Sequence, residues 1–197
     1  MEENFEPISF DGEFQKEHIG FTRKRALILV AVLIAVVAAL TAAAVFLLPK
    51  PTGLPKFSEV MTSNHDAYRH PVYGSVDWVE IVNPTDEDID LSGYGFTNDI
   101  KHHAFRYTFP DGTTLGPGAY IVLYCTGGTD ESDADPFCTG FNLSASGETL
   151  FLVTPAKVEA DELVVPATEA DTAYARTESG DFAVTDFPTP WEANRFE

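Results

Sequence analysis

Positive charge is scarce in this chain: 197 residues carry 12 Lys and Arg against 31 Asp and Glu, a formal net charge of −19. A surface so acidic repels phosphate, which excludes a nucleic-acid clamp as the working hypothesis. Cysteine is scarcer still, with Cys125 and Cys138 alone, so a thiolate metal cluster and a disulfide-dense miniature scaffold are both excluded. The motifs of hydrolytic chemistry are absent as well: neither His-Glu-x-x-His nor Gly-x-Ser-x-Gly occurs, and the five His residues fall in no catalytic pattern. Charge of either sign is missing from Ala26 to Pro49. What is present, 44% hydrophobic residues with 15 Phe, 7 Tyr and 2 Trp, fills a folded core and excludes wholesale disorder.

The uncharged stretch sets the organisation. Ala26 to Leu48 is a run of Ala, Leu, Ile, Val and Phe broken only by Thr41. As a helix rising 1.5 Å per residue it reaches about 35 Å, enough for a hydrocarbon core of about 30 Å. A cleaved signal peptide is the competing reading, because Ala42 to Ala44 offer small residues. The run is longer than a signal core, and the segment before it is long and acidic rather than short and basic. No Cys lies nearby to accept a lipid. Arg23, Lys24 and Arg25 abut the N-terminal side and predict that this side stays in the cytoplasm. The expected layout is an acidic cytoplasmic tail over 1–25, a membrane span over 26–48, a Pro/Gly linker over 49–56, and an extracytoplasmic domain over 57–197. The tail, with Phe residues scattered among acids, reads as disordered, with a docking motif for a cytoplasmic partner as the alternative. The excess charge belongs to the domain, since the segment from Lys50 onward holds 25 acids and 8 bases.

Beyond the linker, runs rich in Val, Ile, Phe and Tyr alternate with clusters of Gly, Pro, Asn and Asp, the pattern of a sheet protein. Phe57–Thr62, Val76–Val82, Tyr120–Cys125, Thr149–Val153 and Glu162–Val165 are the clearest. In Val76–Val82 the period of two sends Trp78 and Glu80 one way and Asp77, Val79 and Ile81 the other. Eight to ten short strands without a helix predict an all-β sandwich or small barrel.

The order of particular motifs sharpens this. Ser58–Asn64 is followed by Asp77-Trp78-Val79-Glu80-Ile81-Val82-Asn83-Pro84, Ile89–Tyr94, Phe109–Thr113 and Leu115-Gly116-Pro117-Gly118-Ala119-Tyr120. Then come Phe141–Glu148 with its Ser146-Gly147-Glu148 turn, Ala175-Arg176, and Pro188-Thr189-Pro190. In that order they resemble the lamin-tail domain, an immunoglobulin-like β-sandwich found in nuclear lamins and in many bacterial surface and secreted proteins; the combination with one span suggests a bacterial chain. Trp191 departs from the family, which usually has Gly there, and Ala175 stands where a Gly commonly precedes the Arg. The resemblance implies fold roles for Asp77, Trp78, Glu80, Asn83, Pro117, Gly118, Gly147 and Glu148. Trp78 is expected to bury its ring between the sheets and to find a partner for its indole N–H, while Asp77 and Glu80 accept hydrogen bonds from neighbouring loops.

Three features invite chemistry. The loop Asp130-Glu131-Ser132-Asp133-Ala134-Asp135 concentrates hard oxygen donors, as does Asp86-Glu87-Asp88, and Asp130, Asp133 and Asp135 are the candidate ligands of a weak Ca²⁺ site. The loop starts like an EF-hand and then lacks its Gly and its final Glu, and no other cofactor is expected. Cys125 and Cys138, in an oxidising compartment, would close the acidic loop with a disulfide worth about 3 kcal/mol in the chain-entropy model; two free buried thiols are the alternative. Trp78, Tyr68 and Tyr73 could stack on a sugar if exposed. The function expected is a membrane-anchored, non-catalytic module that binds a surface protein or glycan, with a cation-dependent hydrolase, or an accessory subunit of one, as the alternative.

Overall fold

The computed structural model describes residues 23–47, 53–128 and 135–197. The chain separates into two compact units, residues 1–49 and 50–197. The first contains helix α1, Arg23–Leu47. Its side chains are described over residues 26–39, about 21 Å at 1.5 Å per residue; they are apolar, and the large ones face solvent, from 48% exposed at Val36 to 69% at Leu27. Among the described residues no helix is long and apolar enough to cross a membrane. The N-terminal tail before Arg23, part of the linker and the acidic loop 129–134 lie outside the described residues.

The second unit is all-β. It contains β1 (Lys56–Met61), β2 (Asp77–Val82), β3 (Ile89–Asp90), β4 (Gly95–Thr97), β5 (Tyr107–Thr108), β6 (Thr114–Leu115) and β7 (Tyr120–Cys125). These are followed by β8 (Cys138–Thr139), β9 (Glu148–Val153), β10 (Glu159–Val165), β11 (Ala173–Arg176) and β12 (Phe182–Thr185). A six-stranded sheet in the order β12-β11-β1-β2-β7-β8 faces a four-stranded sheet, β10-β9-β4-β5, and β3 pairs with β6. The main core lies between the sheets, where Phe57, Val60, Val79, Ile81 and Leu123 meet Phe96, Leu150, Leu152 and Leu163. Two facing sheets around one apolar layer form a sandwich consistent with an immunoglobulin-like domain.

The alternation read from Asp77–Val82 is present: Val79 and Ile81 enter the core between the sheets, and Trp78 turns to the opposite face. That outcome corrects the expected place of Trp78, which lies on the outer face of the six-stranded sheet rather than between sheets. There it is fully buried in a second cluster with Met61, Val122, Tyr124 and Ala173, under the edge of Tyr68. Its indole N–H has no hydrogen-bond partner, contrary to expectation. In β1 the period of two is broken by a register shift between Phe57 and Glu59. The bulge lets Phe57 and Val60 both face the core while Glu59 and Met61 share the outer face.

A polar tie joins the two sheets at the start of β1. Asp161 of β10, 7% exposed, accepts from Lys56 Nζ at 3.0 Å, the Phe57 amide at 3.0 Å and Arg176 of β11 at 3.1 Å. The Arg176 guanidinium also donates to the carbonyls of Phe57 and Gly180 and lies over the Phe182 ring. A buried carboxylate with two cations and an amide is compensated on every side, which is the condition for tolerating it inside.

Candidate functional site

The outer face of the six-stranded sheet carries the concentration of unusual chemistry. It is covered by two irregular segments, the 63–76 loop and the C-terminal segment from Asp186 to Asn194. Asn64 fixes the loop: its side-chain amide donates to the carbonyls of Tyr68 at 2.7 Å and Val76 at 2.8 Å, and its oxygen accepts from the Tyr68 amide. Asp77 accepts from the Asn64 amide at 3.1 Å, and burial raises its carboxyl above the ordinary range. From the other side Asp171 Oδ1 receives the consecutive amides of His65, Asp66 and Ala67 at 2.7, 2.8 and 3.0 Å. Those amides hold its carboxyl below the usual range. This nest was not foreseen, because nothing in Ala170-Asp171-Thr172 signals a partner a hundred residues away.

The pinned loop lays Tyr68, His70 and Tyr73 around Tyr124 of β7. His70 stacks on Tyr73 with centroids 4.6 Å apart and tilts against Tyr124 at 4.4 Å, while the Tyr68 and Tyr124 hydroxyls lie 3.2 Å apart. Tyr68, His70 and Tyr73 are half-buried and Trp78 beneath them is sealed. Of the three aromatics considered for stacking, Trp78 is therefore a core residue, and Tyr68 and Tyr73 reach the surface.

The C-terminal segment brings a second arrangement. Glu59 and Glu80 are direct cross-strand partners on β1 and β2, and both are fully buried. Glu59 Oε2 accepts from the Thr189 amide at 3.0 Å and hydroxyl at 3.2 Å; Glu80 Oε2 accepts from the Trp191 amide at 2.5 Å. The remaining oxygens, Glu59 Oε1 and Glu80 Oε1, have no partner. Burial lifts the Glu59 carboxyl to about 7 and, with the neighbouring Glu59 charge, the Glu80 carboxyl to about 8, against the opposing pull of the Thr189 donors on Glu59 and of the Trp191 amide and Ser58 hydroxyl on Glu80. Asn194 completes the attachment, donating to the carbonyls of Ser58 and Arg176. Trp191 adopts φ +75°, a conformation that a Gly takes freely and a bulky side chain does not, and it leaves 46% of its surface exposed.

The other signature residues act on loops. Asn83 donates to the carbonyls of Glu87 and Leu115 and accepts from the Thr85 amide and hydroxyl, so one buried side chain ties three segments. The Pro117-Gly118 turn returns to it through the Gly118 amide, which donates to the Asn83 carbonyl at 3.0 Å. Glu148 bridges the Ser144 amide and the Asn98 side chain, both at 2.6 Å. Gly147 holds φ +92° against β10.

The candidate metal loop is only partly described. Asp130 and Asp133 lie outside the described residues, and Asp135 is engaged by the Phe137 amide and the Tyr73 hydroxyl. Among the described residues no group of three or more His, Cys, Asp and Glu could hold a metal ion. His102 and His103 both turn Nδ1 to Asp99, at 3.0 and 3.2 Å, in an exposed turn. The expected disulfide is not formed: Cys125 and Cys138 are free thiols. The parallel register sets Cys138 beside Tyr124 and Cys125 beside Thr139, so Cys125 points into the core between the sheets and Cys138 toward the outer cluster. A bridge needs the two Cβ atoms directed at each other, and opposite faces forbid that. Burial raises both thiols above the ordinary range.

An open cleft of about 480 Å³ borders the C-terminal segment, lined by Ser58, Tyr120, Arg176, Asn194 and Arg195 among others; the polar side chains of Ser58, Arg176 and Asn194 are already committed to internal bonds. No curated protein matches the chain. Residues 49–167 match the family model described as Lamin Tail Domain, a family of immunoglobulin-like, generally non-catalytic modules. That match covers more than half of the sequence and spans β1 to β10 of the sandwich just described; the chain belongs to the lamin tail domain family.

Proposed function

We propose that this chain is a membrane-anchored, non-catalytic interaction module that displays its lamin tail domain outside the cytoplasm and binds a protein or glycan partner at the cell surface. The observation that carries the reading is α1. Its described side chains are apolar and exposed, and an apolar helix without a polar side demands an apolar surround. The uncharged run extends in sequence to Pro49, which gives enough length for a span, and the basic cluster at Arg23–Arg25 favours an inside N-terminus. For the partner, two features support binding: the half-exposed Tyr68, His70 and Tyr73 around Tyr124, and a domain charge that attracts basic surfaces and repels anionic polymers.

Protease added to intact cells tests the topology. The expected result is digestion of the domain from about residue 50 onward with an N-terminal tag protected, and membrane association that resists alkaline carbonate. A domain protected in intact cells, or a chain released by carbonate, overturns the anchor. In-cell crosslinking of the full-length protein tests the aromatic face, with a crosslinked species expected for the wild type and lost in His70→Ala/Tyr73→Ala.

A further inference from the structure

The outer face holds two buried carboxyl groups for which the binding reading has no use. Glu59 and Glu80 are opposite one another on neighbouring antiparallel strands, where Cβ atoms lie about 4.5–5.5 Å apart. Around them stand groups without compensating positive charge. β1 contributes the Ser58 hydroxyl and Met61. From β7 come Val122, directly across from Glu80, and Tyr120, whose hydroxyl feels the Glu80 charge. β11 places Ala175 against Glu59, and the C-terminal segment supplies Thr189 and the Trp191 amide. Among the described residues the ion pairs are made by Lys56, Arg176, His102 and His103, and none reaches either glutamate. Two like charges at this separation, out of water, cannot both persist, and the ordinary resolution is to retain protons. The donors from the segment satisfy one oxygen of each carboxyl, which leaves the unpartnered Oε1 atoms as the places where a proton is held.

We propose that Glu59 and Glu80 form a proton-held latch for the C-terminal segment Asp186–Arg195: the protonated pair keeps the segment seated across β1 and β2, and loss of its protons to solvent base creates two adjacent negative charges that favour the lifted segment. The segment is suited to such a role. Its attachment includes the donors to the two glutamates, the Asn194 bonds, the bond from the Thr185 hydroxyl to the Arg195 carbonyl and that from the Phe187 amide to the Thr185 hydroxyl, while Phe187 and Trp191 leave nearly half of their surface in water. Seating the segment also holds Trp191 at positive φ, a conformation it gives up on release.

The direction of the pH effect follows from the burial. With the segment seated the carboxyls titrate near 7 and 8; lifted into water they return toward 4.5. The seated state therefore binds more protons between those limits, so seating is tightest below about pH 4.5, weakens as pH rises, and levels off above about pH 8.

Hydrogen exchange on the full-length chain tests this, with uptake over residues 187–195 corrected for the intrinsic rate from pH 5 to 9. The expected wild-type result is an opening constant that rises about tenfold per pH unit for each proton released and then plateaus, with Glu59→Gln/Glu80→Gln flat throughout. A flat wild-type profile, or the same slope in the double variant, overturns the proposal. Carboxyl ¹³C titration of the two glutamates in the wild-type chain provides a check independent of any variant: midpoints well above 4.5 support the latch, and ordinary glutamate midpoints for both refute it.

Discussion

Two glycines with the same backbone angle separate conformational strain from steric contact. Gly147 and Gly180 both hold φ +92°, but a Cβ on Gly147 would meet the Val165 carbonyl oxygen at 2.7 Å and the Ala167 nitrogen at 2.9 Å, whereas one on Gly180 would meet nothing within 4 Å. Gly180→Ala should cost about 1–2 kcal/mol, the strain of an L-residue at positive φ. Gly147→Ala adds a collision with backbone that cannot swing away, for a total of about 3 kcal/mol or more. Denaturant unfolding of the two variants checks the difference, and equal losses would mean that β10 yields to accommodate the methyl. Single side chains elsewhere are equally specific in their duties. Asn83 cannot be replaced by an apolar residue without leaving the Leu115 carbonyl short of its donor.

At the scale of elements, the covering segments depend on remote polar contacts rather than on their own propensity. Asp171→Ala should release the amides of His65, Asp66 and Ala67, so that the 63–76 loop exchanges faster while the main unfolding transition persists. Because these amides hold the Asp171 carboxyl low, its contribution is present above the ordinary carboxylate range and fades as pH falls through the depressed one, so strong acid should mimic the variant. The same dependence explains what could be read in advance. Strands such as Asp77–Val82, which alternates, and Tyr120–Cys125, a continuous apolar run, announce themselves because both signals are local. β11 and β12 do not: Ala173-Tyr174-Ala175-Arg176 is short and rich in small residues, and it becomes a strand because β1 lies beside it. Glu59 was hidden by the bulge in β1, which moves it to the outer face, and its pairing with Glu80 is a matter of register between strands that no spacing reveals. The thiols follow the same rule, since sequence separation permits a bridge that the register of β7 and β8 forbids, which leaves the alternative of two free thiols.

For the whole molecule, the family match ends at residue 167, yet the fold does not. Residues 173–185 supply β11 and β12, Arg176 supplies the second cation for Asp161, and the last segment seals Glu59 and Glu80. A chain truncated after Ala167 would leave β1 as a bare edge with buried carboxyl groups opened to water. Circular dichroism of that truncation should show no cooperative melting transition, and a wild-type-like transition would prove that the last thirty residues are dispensable. The position of β1 has a mechanical consequence too. It is the strand that follows the N-terminal segment in sequence, and it lies inside its sheet, hydrogen-bonded to β2 on one side and β11 on the other. A pull delivered along the chain from the N-terminal side loads two ladders at once in shear, reinforced where Lys56 and the Phe57 amide grip Asp161 of the opposite sheet. Tension would have to slide a central strand past both neighbours before the sandwich opened.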